Sequence, residues 1–216
     1  MGALTILPSS AIQEIPKNGL NALPPATKDI YIDNETYKQY KKISKDERII
    51  RAVETMKGGL SDYSRRAILG DNLTGKPIEI QFRDLSQLNE AYADFDALGW
   101  KNKGKLYIFI NQKHSDAPKE ALAAVLSHEA IHQDELNSIN EETYCWTLEA
   151  AVWTNFTEQN PALENINHPL VTRENTIKRL FVKGGYTDKY IRKSVLSNAG
   201  YQTLPSRSPG FEDENL

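Results

Sequence analysis

The chain has 216 residues, 39% of them apolar and 25% charged, with a formal net charge of −3; that composition suits one sizeable soluble globular domain. The small net charge singles out no polyanionic partner, and no run of about 18 apolar residues is present to span a membrane. Cys145 is the only cysteine, which excludes an internal disulfide framework and a thiolate zinc site.

The first residues, MGALTILPSSAIQEIPKNG, lack the basic start and continuous apolar core of a signal peptide. The compartment stays open between the cytoplasm and export with a signal peptide lying outside this sequence. Residues 1–28 hold Pro8, Pro16, Pro24 and Pro25 without a helical or strand period, and are expected as an extended arm that drapes over the body or lies in a cleft. A single domain is expected over 29–201, with an upper α+β part to about 136 and a helical lower part after it. Residues 202–216 are expected as a flexible tail.

Ser44 to Lys57 predicts a helix: Ser44 and Glu47 form a capping box, Ile49, Ile50, Val53 and Met56 recur at helical spacing, and Gly58-Gly59 stop it. A short helix is expected over Ser61 to Leu69. PIEIQF at 77–82 and KLYIFIN at 105–111 read as strands, with a helix over Ser86 to Leu98 and GWKNKG as a turn-rich connector between them. The order of elements predicts a small α+β fold whose sheet leads into the next helix.

That helix should begin near Asp116-Ala117-Pro118, with the aspartate as cap and proline in the first turn, and end near Leu136-Asn137. It carries Ser127 to Asp134, SHEAIHQD, an H-E-x-x-H pattern in which His128 and His132 lie four residues apart. On a helix this spacing puts both imidazoles on one face, about 6 Å apart along the axis, within reach of one metal ion. Ser138 and Glu141 form a second capping box, so a returning helix is expected to run antiparallel past Trp153 after a short turn.

A catalytic zinc takes three protein ligands and keeps a position for water, so a third ligand must come from elsewhere. Glu142, Cys145, Trp146 and Glu149 recur at i, i+3, i+4 and i+7 on the returning helix and share one face. Glu142 falls at the level of His132 and Glu149 at the level of His128. The simplest division makes Glu142 the ligand and Glu149 an acceptor for an imidazole N–H of His128; Glu149 and Glu141 remain alternatives for the third ligand, Glu141 having its capping work at Ser138. Bound zinc would lower the pKa of its water toward about 7, and Glu129 would take the proton as general base and pass it to the leaving amine.

HEAIH, the strand KLYIFIN upstream and the EETYCW segment downstream together resemble the zincin metallopeptidases, and within them the gluzincins, over about 105–155. The metzincin pattern is not met, since Gln133 to Asn140 holds neither glycine nor histidine. The resemblance implies a peptide or protein substrate, a Zn2+ cofactor, and main-chain pairing of substrate along residues 106–111. It implies no nucleic-acid partner and no membrane; oligomeric state stays open.

Other candidates are less defined. His114 is expected in an exposed loop after the strand, with a place at the cleft rim as the alternative, and His168, Tyr186 and Tyr201 are candidates for an oxyanion donor. Cys145 is read as core. Glu120 to Thr172 holds nine acidic residues and no Lys or Arg, whereas Arg173 to Arg207 holds eight basic and two acidic ones, so the two segments are expected to attract each other. Helices are expected near Glu174 to Val182 and Thr187 to Leu196. Two competing functions keep part of the same reading: a noncatalytic zincin-like interaction protein, and a zinc hydrolase with a non-peptide substrate.

Overall fold

A computed structural model describes residues 31–133, 135–208 and 211; the arm expected over 1–28, and GFEDENL apart from Phe211, lie outside them. Among the described residues are seven α-helices: α1 (Asn34–Tyr40), α2 (Glu47–Thr55), α3 (Asp62–Leu69), α4 (Lys119–Glu129), α5 (Ile139–Gln159), α6 (Pro169–Lys183) and α7 (Lys189–Ser197). Three strands, β1 (Glu79–Arg83), β2 (Ala97–Asn102) and β3 (Lys105–Asn111), form one sheet in the order β1-β3-β2. This is the expected small α+β fold.

Several element assignments change. Helix α1 was not expected; Asp33 caps it by accepting from the backbone N–H groups of Glu35 and Thr36, each at 3.0 Å. Helix α2 begins two residues later than predicted because Asp46 Oδ1, not Ser44, accepts from Arg48 N at 2.9 Å. Glu47 does not close a capping box; its Oε1 accepts from Lys41 at 2.6 Å and from the Tyr37 hydroxyl at 2.5 Å.

The predicted helix over Ser86 to Leu98 is absent. Asp84 and Asn89 instead cap two single 3-10 turns, Leu85–Gln87 and Glu90–Tyr92, and the chain then enters β2. Gly99 to Asn102, expected as a connector, are strand; the turn is only Lys103-Gly104, both at positive φ, 50° and 72°. Two consecutive left-handed residues match the twist of a tight antiparallel hairpin.

This hairpin makes β3 the central strand, parallel to β1 and antiparallel to β2. A central strand is apolar on both faces, which accounts for the unbroken KLYIFIN run. Leu106, Ile108 and Ile110 join the main core with the helices, whereas Phe109 faces a second cluster with Leu85, Tyr92, Phe95 and Leu98. The apolar residues of 85–98 that suggested a helix therefore cover the outer sheet face.

Helix α4 passes through the main core, with every residue from Ala121 to Glu129 buried. It stops at Glu129, well before the expected Leu136. The Ser64 hydroxyl donates to the carbonyl of Ser127 at 2.8 Å, the oxygen that residue 131 would use in a continuing helix. Ile131 N instead bonds the His128 carbonyl at 3.0 Å, tightening the last turn. Pro118 holds the N-cap position that Asp116 was expected to fill. The connection 130–138 then leads to α5, whose first half, through Ile139, Trp146 and Ala150, joins α6, α7 and Tyr201 in a third cluster.

Candidate metal centre

Two chain segments build the centre: the end of α4 with the tight turn after it, and the first turns of α5. His128 is the last-but-one residue of α4, whereas His132 lies beyond the helix. The tightened turn still swings the second ring toward the first, so the two Nε2 atoms are 3.2 Å apart. Glu142 approaches from α5, with Oε1 3.5 Å from His132 Nε2 and Oε2 3.8 Å from His128 Nε2. Donors about 2.0–2.1 Å from a tetrahedral zinc are about 3.3 Å from one another, so this trio has suitable donor types at nearly the required spacing.

The other nitrogen of each ring is held by a carboxylate. His128 Nδ1 is 3.0 Å from Glu149 Oε2, and His132 Nδ1 is 2.8 Å from Glu141 Oε1. Acceptor-only carboxylates place the ring protons on Nδ1 and leave Nε2 for a ligand role. Glu141 completes only half of the expected capping box: its N–H donates to Ser138 Oγ at 3.1 Å, while its side chain serves His132 and accepts from Ser208 Oγ at 3.2 Å. The loose end expected from 202 is therefore part of the body through 208. The carbonyls of Pro205 and Ser206 accept from Ile139 N and Asn140 N at the start of α5.

Glu142 is fully buried. Asn137 Nδ2 donates to its Oε1, and its Oε2 has no hydrogen-bond partner. Burial would lower the pKa of His132, but the adjoining Cys145, Glu142 and Glu141 raise it well above the ordinary value. Cys145, read from sequence as core, is buried and also belongs to the centre: its Sγ and one nitrogen of each of His128 and His132 lie within 4.8 Å of one another. Burial pushes the thiol up to about 12, so it is S–H near neutral pH.

Glu129 is buried, and neither of its carboxylate oxygens has a partner. Burial raises its pKa. It faces Gly99 of β2, where a Cβ would stand 3.3 Å from His132 Cβ and 3.5 Å from Glu129 Oε2. A side chain at residue 99 would need His132 to give by a few tenths of an ångström, so glycine suits the close approach of the strand. A cleft beside His132 is lined by Tyr92, Leu98, Gly99, Trp100 and Leu136.

The edge strand assignment needs correction. KLYIFIN is paired on both sides, so residues 106–111 have no free main-chain edge; β2, paired only with β3, lines the cleft instead. Of the oxyanion candidates, His168 and Tyr186 make their contacts away from the centre, whereas Tyr201 stands against Glu142. His168 caps α6, accepting from Leu170 N at 3.0 Å through Nδ1, with Nε2 3.2 Å from Asp116 Oδ1. Tyr186 is exposed and sets its ring edge-on to Phe181. Tyr201 is fully buried behind Glu142, its oxygen 3.4 Å from the Trp146 Nε1 that donates to it. His114, expected in an exposed loop, is buried, with Nε2 2.5 Å from Asp96 Oδ1.

Charge attraction between the acidic and basic segments takes a specific form. Arg173 of α6 donates to both oxygens of Glu149, and its Nη1 bonds Glu174 Oε1 at 2.9 Å. Burial, then repulsion from Glu149, raises the Glu174 pKa well above its ordinary value, whereas Arg173 and His128 outweigh burial and keep Glu149 low. A proton held on Glu174 in the folded state contributes stability below about pH 4.5, lost as pH rises through the folded pKa. Gln mimics the protonated acid at every pH. Glu174→Gln is therefore expected to raise the melting temperature by a few degrees at pH 7, the gap closing toward pH 4, as measured by thermal unfolding across that range.

Compared with family models, with curated proteins and with solved structures, the chain matches none. No helix among the described residues is long and apolar enough to cross a membrane.

Proposed function

We propose that the chain is a zinc-dependent metallopeptidase of gluzincin type. The supporting observation is the approach of the Glu142 carboxylate to both His128 Nε2 and His132 Nε2, each imidazole turned by a carboxylate at its Nδ1. Zinc held by these three would supply Lewis acidity and lower the pKa of its water. Glu129 is the general base: it takes the proton of the attacking water and returns it to the leaving amine nitrogen. A peptide lies along the open edge of β2 and pairs its main chain there, which brings a carbonyl past Gly99 toward Glu129.

A second reading rests on Cys145. With the thiol as a further ligand beside His128 and His132, the centre would close around the metal and become structural. Zinc analysis of the protein after equilibration with zinc and dialysis tests both readings together, and peptide-library cleavage separates them. One zinc per chain with cleavage that a chelator abolishes is the expected outcome. One zinc without cleavage of any peptide favours the closed centre, and absence of stoichiometric zinc removes both.

A further inference from the structure

Behind the metal-facing residues lies a buried cluster of charged groups centred on Arg173. Its side chain is 11% exposed and lies over the Trp146 ring, 5.3 Å from the centroid. On one side it grips both oxygens of Glu149, whose Oε2 is also 3.0 Å from His128 Nδ1. On the other side its Nε stands 3.0 Å from Asp96 Oδ2, an ion pair not aligned as a hydrogen bond. Asp96 Oδ1 is 2.5 Å from His114 Nε2, and the Asp96 carbonyl accepts from Asn111 N at 2.8 Å at the base of the hairpin.

Burying so many ionisable groups does not stabilise a fold as well as apolar packing of the same volume. What a guanidinium offers instead is geometry, because its planar fork fixes the positions of several carboxylates at once. Besides its neighbour Glu174, it holds two carboxylates from different parts of the fold, Glu149 and Asp96. Glu149 sets the His128 ring from α5. Asp96 immediately precedes β2, the strand whose Gly99 faces Glu129 and His132.

We infer that Arg173 is a positioning residue that locks the His128 ring and the β2 strand to each other, so that metal affinity and placement of the cleft wall are coupled through one side chain. The inference rests on the metal-centre reading above for its affinity arm, but not for its structural arm. Arg173 touches neither metal nor peptide; it acts through Glu149 and Asp96.

The test compares wild type, Arg173→Met, Arg173→Lys, Glu149→Gln and the double variant Arg173→Met/Glu149→Gln as full chains. Zinc affinity is read by competition with a chromophoric chelator, and the His128 Nδ1–H resonance and β2 amide exchange by NMR in the metal-free protein. Arg173→Met is expected to weaken zinc binding by about 10-fold, the lower end of the range for loss of an outer partner of a ligand, because it acts through Glu149. It should also broaden the Nδ1–H resonance and speed exchange of the β2 amides. Arg173→Lys keeps the charge but loses the fork; it is expected to fold if the Met variant does not, and to show the same three changes, smaller.

In the Glu149→Gln background Arg173→Met should cost less than about 2-fold further in zinc affinity, since coupled residues are non-additive. Full additivity, or a wild-type Nδ1–H signal and wild-type β2 exchange in Arg173→Lys, would overturn the inference. If wild type itself takes up no zinc, the metal-centre reading fails, and the Nδ1–H and β2 measurements alone decide the coupling.

Discussion

Glu129→Gln is expected to lower peptide cleavage by about 10²- to 10⁴-fold, the usual contribution of a positioned acid–base group, while leaving one zinc per chain. The substitution preserves shape. Because neither Glu129 oxygen has a hydrogen-bond partner, it breaks no contact. Burial raises the Glu129 pKa, so the folded state favours the protonated acid, and its stabilising contribution is greatest below the unfolded pKa and shrinks as pH rises. A neutral amide escapes that loss. The variant should therefore melt no lower than wild type at pH 7, which separates a lost base from a damaged fold. Equal cleavage by the two proteins, measured on one peptide at matched zinc content, would show the assigned base to be wrong.

An unpaired carboxylate in a buried position is costly, and that cost marks Glu129 as the residue least explained by stability. Glu141, Glu142 and Glu149 each have a partner: Ser208 and His132, Asn137, and Arg173 and His128. Glu129 has no hydrogen-bond partner on either oxygen and lies against Gly99.

The α5 side of the site was legible because it follows a helical period: Glu142 and Glu149 share a face, and that face meets the end of α4. The α4 side was legible only in part. The His128–His132 spacing was read as one helix, yet the helix ends at Glu129 because Ser64, more than sixty residues earlier, takes the carbonyl it would need. Local propensity carries no trace of such a tertiary hydrogen bond. Arg173 and Asp96 were missed for the same reason, as their partners lie on other elements. Cys145 was visible at i+3 from Glu142, but a lone buried cysteine reads as core until its distance to two imidazoles is known. The predicted helix over 86–98 failed because its apolar residues answer to the outer face of the sheet, a surface that exists only once the Lys103-Gly104 hairpin has formed.

The second large effect concerns the third ligand. Glu142→Gln is expected to weaken zinc binding by at least about 100-fold, the upper end of what loss of a mere outer partner costs, whereas Cys145→Ser should stay within a few-fold of wild type. Gln keeps the acceptor that Asn137 donates to, so the metal-free fold should survive and the loss report on the ligand itself. The ordering follows from chemistry as well as distance. Cys145 is held as a neutral thiol, its pKa pushed up to about 12, and must release a proton to ligate; Glu142 stands 3.5 Å and 3.8 Å from the two Nε2 atoms with one oxygen unpartnered. Cobalt substitution reads the difference directly, because a thiolate ligand adds an intense charge-transfer band in the near ultraviolet that a carboxylate does not. Absence of that band in wild type fits a centre of two histidines and a glutamate with room for water. Its presence, together with loss of zinc in Cys145→Ser, would instead make the centre a closed structural one and leave Glu129 without a water to deprotonate.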